Sequence, residues 1–299
     1  MILCCGEALI DMLPRETAEG EPAFAPHPGG SVFNTAVALG RLGAPAGWFG
    51  GLSNDLFGAM LDRALGESGV DTARAARSAR PTTLAFVTLT DGQARYAFYD
   101  ENTAGRMLTP ADMPTAGPDM QALFFGGISL VSEPAADALA GFCENAGDRV
   151  VMLDPNVRPG FVTDETRYRE RLAGMLARAD IVKISDEDMA WLNLSPADLL
   201  ALGAALVVVT RGADGVEAHR PDETLRVPAR PATVVDTVGA GDTFNAGLLA
   251  GLERAVLLDR AALRAAPGDA LEPALALGAA AAAVTVSRAG ANPPWAHEL

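Results

Sequence analysis

The stretch Val234-Val235-Asp236-Thr237-Val238-Gly239-Ala240-Gly241-Asp242-Thr243-Phe244-Asn245-Ala246-Gly247 decides how this chain is read. An apolar run leads in, two glycines bracket Ala240, a carboxylate follows directly, and an apolar helix runs on from Phe244. Small residues let a backbone approach a ligand closely, and the unpaired N–H groups of a helix's first turn make an anion site. A carboxylate at the mouth of such a site repels the anion unless it serves the chemistry there. Its natural task is to take the proton of a hydroxyl that attacks a phosphoryl group. Taken alone, Asp242 reads more simply as an N-terminal helix cap. Two further stretches tip the balance toward chemistry.

The first is Pro28-Gly29-Gly30-Ser31-Val32-Phe33-Asn34, where a glycine pair opens a helix whose first turn carries Asn34 and whose C-terminal stop is Gly43. An amide there suits hydrogen bonds to sugar hydroxyls; a capped structural helix is the plain alternative. The second is Gly50-Gly51-Leu52-Ser53-Asn54-Asp55-Leu56-Phe57-Gly58, a glycine-rich turn leading into another helix. With these residues on the page, the chain resembles the ribokinase-type (PfkB) carbohydrate kinases. GG-x-x-x-N with the following G-x-x-x-D-x-x-G is similar to that family's N-terminal signature, and DTVGAGDTF to its C-terminal one. The resemblance covers essentially the whole chain.

Strands alternate with helices, the pattern of an α/β fold with a mostly parallel central sheet and helices on both faces. Buried strands are predicted over 2–5, 123–125, 150–153, 181–184 and 206–210, and helices over 134–145, 168–178 and 187–192. Two segments depart from this pattern. Residues 12–28 are polar and proline-rich, and 83–99 alternate around Asp91-Gly92, a hairpin signal. They fit a small β-sheet over one side of the main one. In the resembled family such a lid closes over the sugar and often forms the dimer interface. The resemblance therefore implies one domain over 1–299, lid segments near 12–28 and 83–106, and a homodimer through the lid.

The 299 residues, 49% of them hydrophobic, suffice for one large core. A formal net charge of −15 argues against nucleic acid or an anionic membrane surface as a partner, yet leaves an anionic substrate open. Cys4, Cys5 and Cys143 are too few and scattered for a disulfide framework or a zinc site, and a reducing cytoplasm is the economical reading. Cys4 and Cys5, adjacent in a strand, should face opposite ways. No signal peptide is expected, because Asp11 interrupts the apolar start. The alanine-rich run over 274–286 is too short for a membrane span and reads as a buried helix.

The resemblance also implies roles. Asp242 would be the catalytic base, with Gly239, Ala240 and Gly241 forming the anion hole. Asp11, placed near the carboxyl end of the first strand where open α/β folds bind ligands, would accept two sugar hydroxyls beside Gly29, Gly30, Asn34 and Tyr96. Asp154-Pro155-Asn156-Val157-Arg158-Pro159 resembles the DPNxR segment of some members, and Arg158 would steady substrate or phosphate by a forked contact; a surface ion pair is the alternative. Lys183 could meet a phosphate or serve a structural salt bridge. Many members carry Asn-x-x-Glu where this chain has Ser185 and Asp188, implying a water-mediated effect on nucleotide-bound magnesium, with a helix cap at Ser185 compatible with that role. Thr210, Gly212 and Gly215 match the family's T-x-G-x-x-G turn and would cradle ATP phosphates. Small residues over 276–283 would leave a slot for adenine or simply pack tightly.

No direct protein ligand for magnesium is implied. Asp236 keeps one position where some members hold a monovalent cation, but Val238 and Pro294 depart from the usual pattern, so potassium stays open. The GEALIDMLP opening and the DPNVRP segment look more like fructokinase-like members than ribokinases or adenosine kinases. The implied reaction is transfer from ATP to a primary hydroxyl of fructose, giving fructose 6-phosphate. The alternatives are a 2-keto-3-deoxygluconate kinase, whose substrate carboxylate would meet Arg158, Arg95 or Arg106, and a non-catalytic sugar sensor on the same fold. A dinucleotide-dependent oxidoreductase fails, because no G-x-G-x-x-G joins the first strand to its helix.

Overall fold

Short apolar runs such as Ile2–Cys5 and Leu206–Thr210 carry no polar face, so they are stable only as sheet strands covered on both sides. The computed structural model describes residues 1–90 and 93–299, and the side chains of all of these except 88–90 and 93–96. In chain order the strands are β1 (Ile2–Cys5), β2 (Leu9–Glu16), β3 (Pro22–Gly29), β4 (Ala46–Phe49), β5 (Gly51–Ser53), β6 (Ala76–Ser78), β7 (Leu84–Thr90), β8 (Gln93–Tyr99), β9 (Ala122–Gly126), β10 (Val150–Asp154), β11 (Ile181–Ser185), β12 (Leu206–Thr210), β13 (Val216–His219) and β14 (Thr224–Val227). The helices are α1 (Ser31–Arg41), α2 (Leu56–Glu67), α3 (Ala135–Glu144), α4 (Glu165–Arg178), α5 (Asp186–Leu192), α6 (Pro196–Ala201), α7 (Ala240–Arg254), α8 (Arg260–Ala265) and α9 (Gly268–Val286).

The described residues form an eight-stranded sheet ordered β14-β13-β12-β11-β10-β9-β1-β4. It is parallel throughout except for the antiparallel edge made by β13 and β14. Each of its faces has its own core, one including α1, α7 and α9, the other α3 and α4. Cys4 belongs to the first core and Cys5 to the second, as strand alternation requires. The expected strands and helices are all present, with ends shifted by a few residues.

A second, four-stranded sheet is ordered β3-β2-β7-β8, formed by the segments expected to make a lid. The proline-rich segment supplies β2 and β3, which pair along their whole length from Leu9–Gly29 to Glu16–Pro22. Residues 84–99 supply the β7–β8 hairpin; the predicted Asp91-Gly92 turn lies outside the described residues. Two expectations are corrected here. Helix α9 begins at Gly268, so it is long and apolar enough by composition alone to cross a membrane. It is nevertheless a core helix, packing Leu271, Ala274, Leu275 and Gly278 into the fold beside α7. Helix α7, expected from Phe244, begins at Ala240, so the GAGD residues are its first turn rather than its approach.

Candidate active site

Gly239 caps α7 in the left-handed region at φ 77, and a side chain there would lie 2.7 Å from Ala291 Cβ, so conformation and space both demand glycine. The first i→i−4 bond of α7 runs from the Thr243 N–H to the Gly239 carbonyl at 2.9 Å. The N–H groups of Gly241 and Asp242 precede it, and the helix leaves them without a partner. Asp242 is the third helical residue and caps nothing. The cap reading is thereby excluded.

Asp242 is buried, and its carboxylate is gripped by α1. Ser31 Oγ donates to Oδ1 at 2.6 Å and Asn34 Nδ2 donates to Oδ2 at 2.9 Å. Ser31 Oγ in turn accepts from Asn156 Nδ2 at 3.0 Å. Burial pushes the Asp242 carboxyl up to about 6, against the opposing pull of the Ser31 and Asn34 hydrogen bonds. Asn34, expected to face a sugar, lines the first cleft described below and also holds the carboxylate.

Two clefts meet at this turn. One, of about 370 Å³, is lined by Asp11, Gly30, Asn34, Arg158, Lys183 and Asp242 among others. The other, of about 610 Å³, is lined by Thr210, Gly212, Gly215, Ala240, Ala282 and Val286 among others. Thr237 and Gly241 line both. The first cleft is polar and charged; the second is walled by small apolar residues, with Ala279, Ala282 and Ala283 of α9 forming the expected flat slot. Thr210, Gly212 and Gly215 lie at its rim, in the turn joining β12 to antiparallel β13.

Asp11 lies in the first cleft, beyond the carboxyl end of β1. It sits on strand β2 opposite Ala85 and His27, not on the main sheet. Burial alone raises its carboxyl to about 6. Gly30 lines the cleft, whereas Gly29 ends β3 with its backbone against the Asp11 carboxylate, where a side chain would collide. Glu7, which sequence reasoning passed over, accepts from the Ser31 N–H at 2.9 Å and the Ser129 N–H at 3.2 Å, and burial raises it to about 7.

Lys183 makes the structural salt bridge, donating to Asp154 Oδ2 at 3.1 Å, and it also lines the cleft. Asn245 Nδ2 donates to the same oxygen at 2.7 Å, and Asp154 Oδ1 has no hydrogen-bond partner among the described residues. Ser185 caps α5 by accepting from the Asp188 N–H, and neither residue lines a cleft at the α7 turn. Asp188 is buried, and its Oδ1 accepts from the Val157 N–H at 2.9 Å, bracing the DPNVR loop. Burial, with Asp154 nearby, raises its carboxyl.

Arg158 is exposed at the cleft and makes no ion pair with a described residue; Nη1 donates only to the neighbouring Val157 carbonyl. Arg106 is committed elsewhere, to Asp100 and the Glu133 carbonyl. Asp236 closes its loop, with Oδ1 accepting from the Val238 N–H and Oδ2 from the Gly290 N–H. The side chains of Tyr96 and Arg95 lie outside the described residues. Ser31, Asp154, Asn156 and Asn245 were missed as site residues. A signal did exist for the pair under α7, because Lys183 is the only lysine in the chain.

The pfkB family carbohydrate kinase profile matches residues 1–298. A fructokinase from Rhizobium leguminosarum bv. trifolii is 51% identical over 267 residues, covering 87% of this chain and 82% of that protein. The crystal structure of a fructokinase from Xylella fastidiosa with bound ATP superposes with a TM-score of 0.89 at 31% identity, covering 97% of this chain and 93% of that one. A double-mutant fructokinase from Vibrio cholerae O395 with fructose, ADP and potassium ion bound gives a TM-score of 0.82 at 25% identity, covering 97% and 93%. The fold, the two signatures and these likenesses agree: the chain belongs to the pfkB family of carbohydrate kinases.

Proposed function

We propose that this chain is an ATP-dependent fructokinase, transferring the γ-phosphoryl group of ATP to a primary hydroxyl of fructose to give fructose 6-phosphate and ADP. The observation that carries the reading is the single turn shared by two clefts, with Asp242 on the sugar side and the small-residue slot on the nucleotide side. Asp242 takes the proton of the sugar hydroxyl as that oxygen attacks phosphorus. The N–H groups of Gly241 and Asp242 and the α7 dipole stabilise the charge gathering on the transferred group. Asp11 and Asn34 orient the sugar, and the lid excludes water. Thr210, Gly212 and Gly215 hold the nucleotide phosphates, and Lys183 adds a positive charge beside Gly241.

Magnesium on the nucleotide would neutralise phosphate charge while keeping most of its waters. Asp154 Oδ1, buried without a partner, fits as the acceptor for one such water better than Asp188, which is tied to Val157. A potassium ion at the anion-hole loop would have to share Asp236 with two backbone N–H groups. The 51%-identical fructokinase favours fructose over 2-keto-3-deoxygluconate, as does the commitment of Arg106 outside the cleft. We also propose a cytoplasmic homodimer joined through the lid. Its outer side carries an edge-to-face ladder, Phe24–Phe86–Tyr99, whose end members are exposed.

ADP release measured against a panel of ketoses, aldoses, nucleosides and keto-deoxy acids tests the reading. Fructose should give the highest kcat/KM. A higher value for 2-keto-3-deoxygluconate would replace the substrate, and sugar binding without turnover of any panel member would favour the sensor.

A further inference from the structure

We propose that Ser31, braced by Asn156, is a positioning residue that keeps Asp242 from activating water until a sugar hydroxyl takes its place. The inference rests on Asp242 being the base. A kinase whose base is always free would split ATP on water, which is present at high concentration whenever the sugar is absent. In this structure both oxygens of Asp242 are already occupied by donors from α1.

The Ser31 contact is of charge-assisted O–H···O⁻ length, 2.6 Å. Its direction follows from the partners. A serine has one proton, Asp242 can only accept when ionised, and Asn156 Nδ2 points at the Ser31 oxygen as a donor. The hydroxyl proton is therefore directed to Asp242. Asn156 holds a positive φ of 41, a conformation asparagine tolerates. The adjacent Val157 N–H is anchored on Asp188. Asp188, Val157, Asn156 and Ser31 thus form a continuous brace ending on the base.

A water molecule would have to displace this pre-ordered hydroxyl with nothing to offset the loss. A sugar brings further hydroxyls, which Asp11 and neighbouring groups can meet, and so can offset it. The other charged groups near the carboxylate are Asp154, which raises its proton affinity, and Lys183, which lowers it; Glu7, Asp11 and Arg158 lie in the same cleft. Removing the Ser31 donor leaves these in place, so the proton affinity of Asp242 should rise.

The test uses the full chain with Ser31→Ala, Ser31→Thr, Asp242→Asn and the Ser31→Ala/Asp242→Asn double variant. ADP release is read with and without fructose, and kcat/KM for fructose is read against pH. Ser31→Ala should raise the ratio of sugar-free to fructose-dependent ADP release by about tenfold, the scale of one lost hydrogen bond. It should also move the acid limb to higher pH, whereas Ser31→Thr should restore both. Asn156→Ala should act in the same direction and more weakly, and serves if Ser31→Ala does not fold. The double variant should lose the extra hydrolysis. An unchanged ratio and an unmoved acid limb in Ser31→Ala would overturn the proposal while leaving the base intact. Full fructose turnover in Asp242→Asn would instead sink the underlying assignment.

Discussion

Lys183 Nζ lies 3.1 Å from Asp154 Oδ2 beneath Gly241, and both side chains are buried. Every other basic side chain apart from the histidines is arginine, yet the buried position under the first turn of α7 holds the compact ammonium. An unpaired Asp154 would be expensive there. Lys183→Met should therefore destabilise the protein by about 3–5 kcal/mol, read by denaturant unfolding. If Lys183 also meets phosphate, Lys183→Arg should lose activity despite keeping its charge, because the wider fork does not fit beside Gly241.

Asp242→Asn should remain folded and bind ATP while kcat falls about a hundredfold or more, as loss of a general base predicts. With Asp242 pushed up to about 6 by burial, the base is protonated below that pH. The rate of the parent enzyme should accordingly rise through about pH 6 and level off above it. A flat profile between pH 5 and 8 would contradict the assignment.

Asp11→Asn should separate stability from function. Its carboxyl rises from 3.8 to about 6 in the folded chain, so the folded state keeps a proton that the unfolded state releases between those values. The stability it contributes is full below pH 4 and lost as pH rises through 6. At pH 8 the Asn variant should be more stable than the parent by about 1–2 kcal/mol, with a smaller gain at pH 5. Its kcat/KM for fructose should nevertheless fall by roughly 1–3 kcal/mol in transition-state binding, mostly through KM.

A side chain at Gly247 of α7 would place its Cβ 2.5 Å from the Gly278 Cα of α9. The two helices touch backbone to backbone, and both line the nucleotide cleft. Gly247→Val should cost about 1–3 kcal/mol by overpacking and raise the KM for ATP more than that for fructose. Steady-state kinetics with each substrate varied in turn would show the split.

The main sheet was legible because its strands are continuous apolar runs, and the two glycine signatures located the α7 turn shared by the two clefts and helix α1 beside it. Less was legible wherever function depends on contacts between distant segments. Ser31 and Asp242 are 211 residues apart, and no local pattern marks a serine as a partner of that carboxylate. Asp188 is a further case: the resemblance implied a nucleotide role for it, and no local pattern foretold that it would also accept from the Val157 N–H. Asp11 was expected near the carboxyl end of the first strand and lies in the cleft there, but that it does so from the second sheet, on β2, was not legible.

Between strand β3 and helix α1 stands one residue, Gly30, at φ 108. The strand behind it pairs with the one that carries Asp11, and the helix ahead of it grips Asp242 through Ser31 and Asn34. A displacement of β3 would reach the first turn of α1 only through this glycine, the residue type that absorbs backbone rotation most readily. Asp11, paired with His27 close to that joint, and the donors that hold Asp242 thus stand on opposite sides of a single glycine.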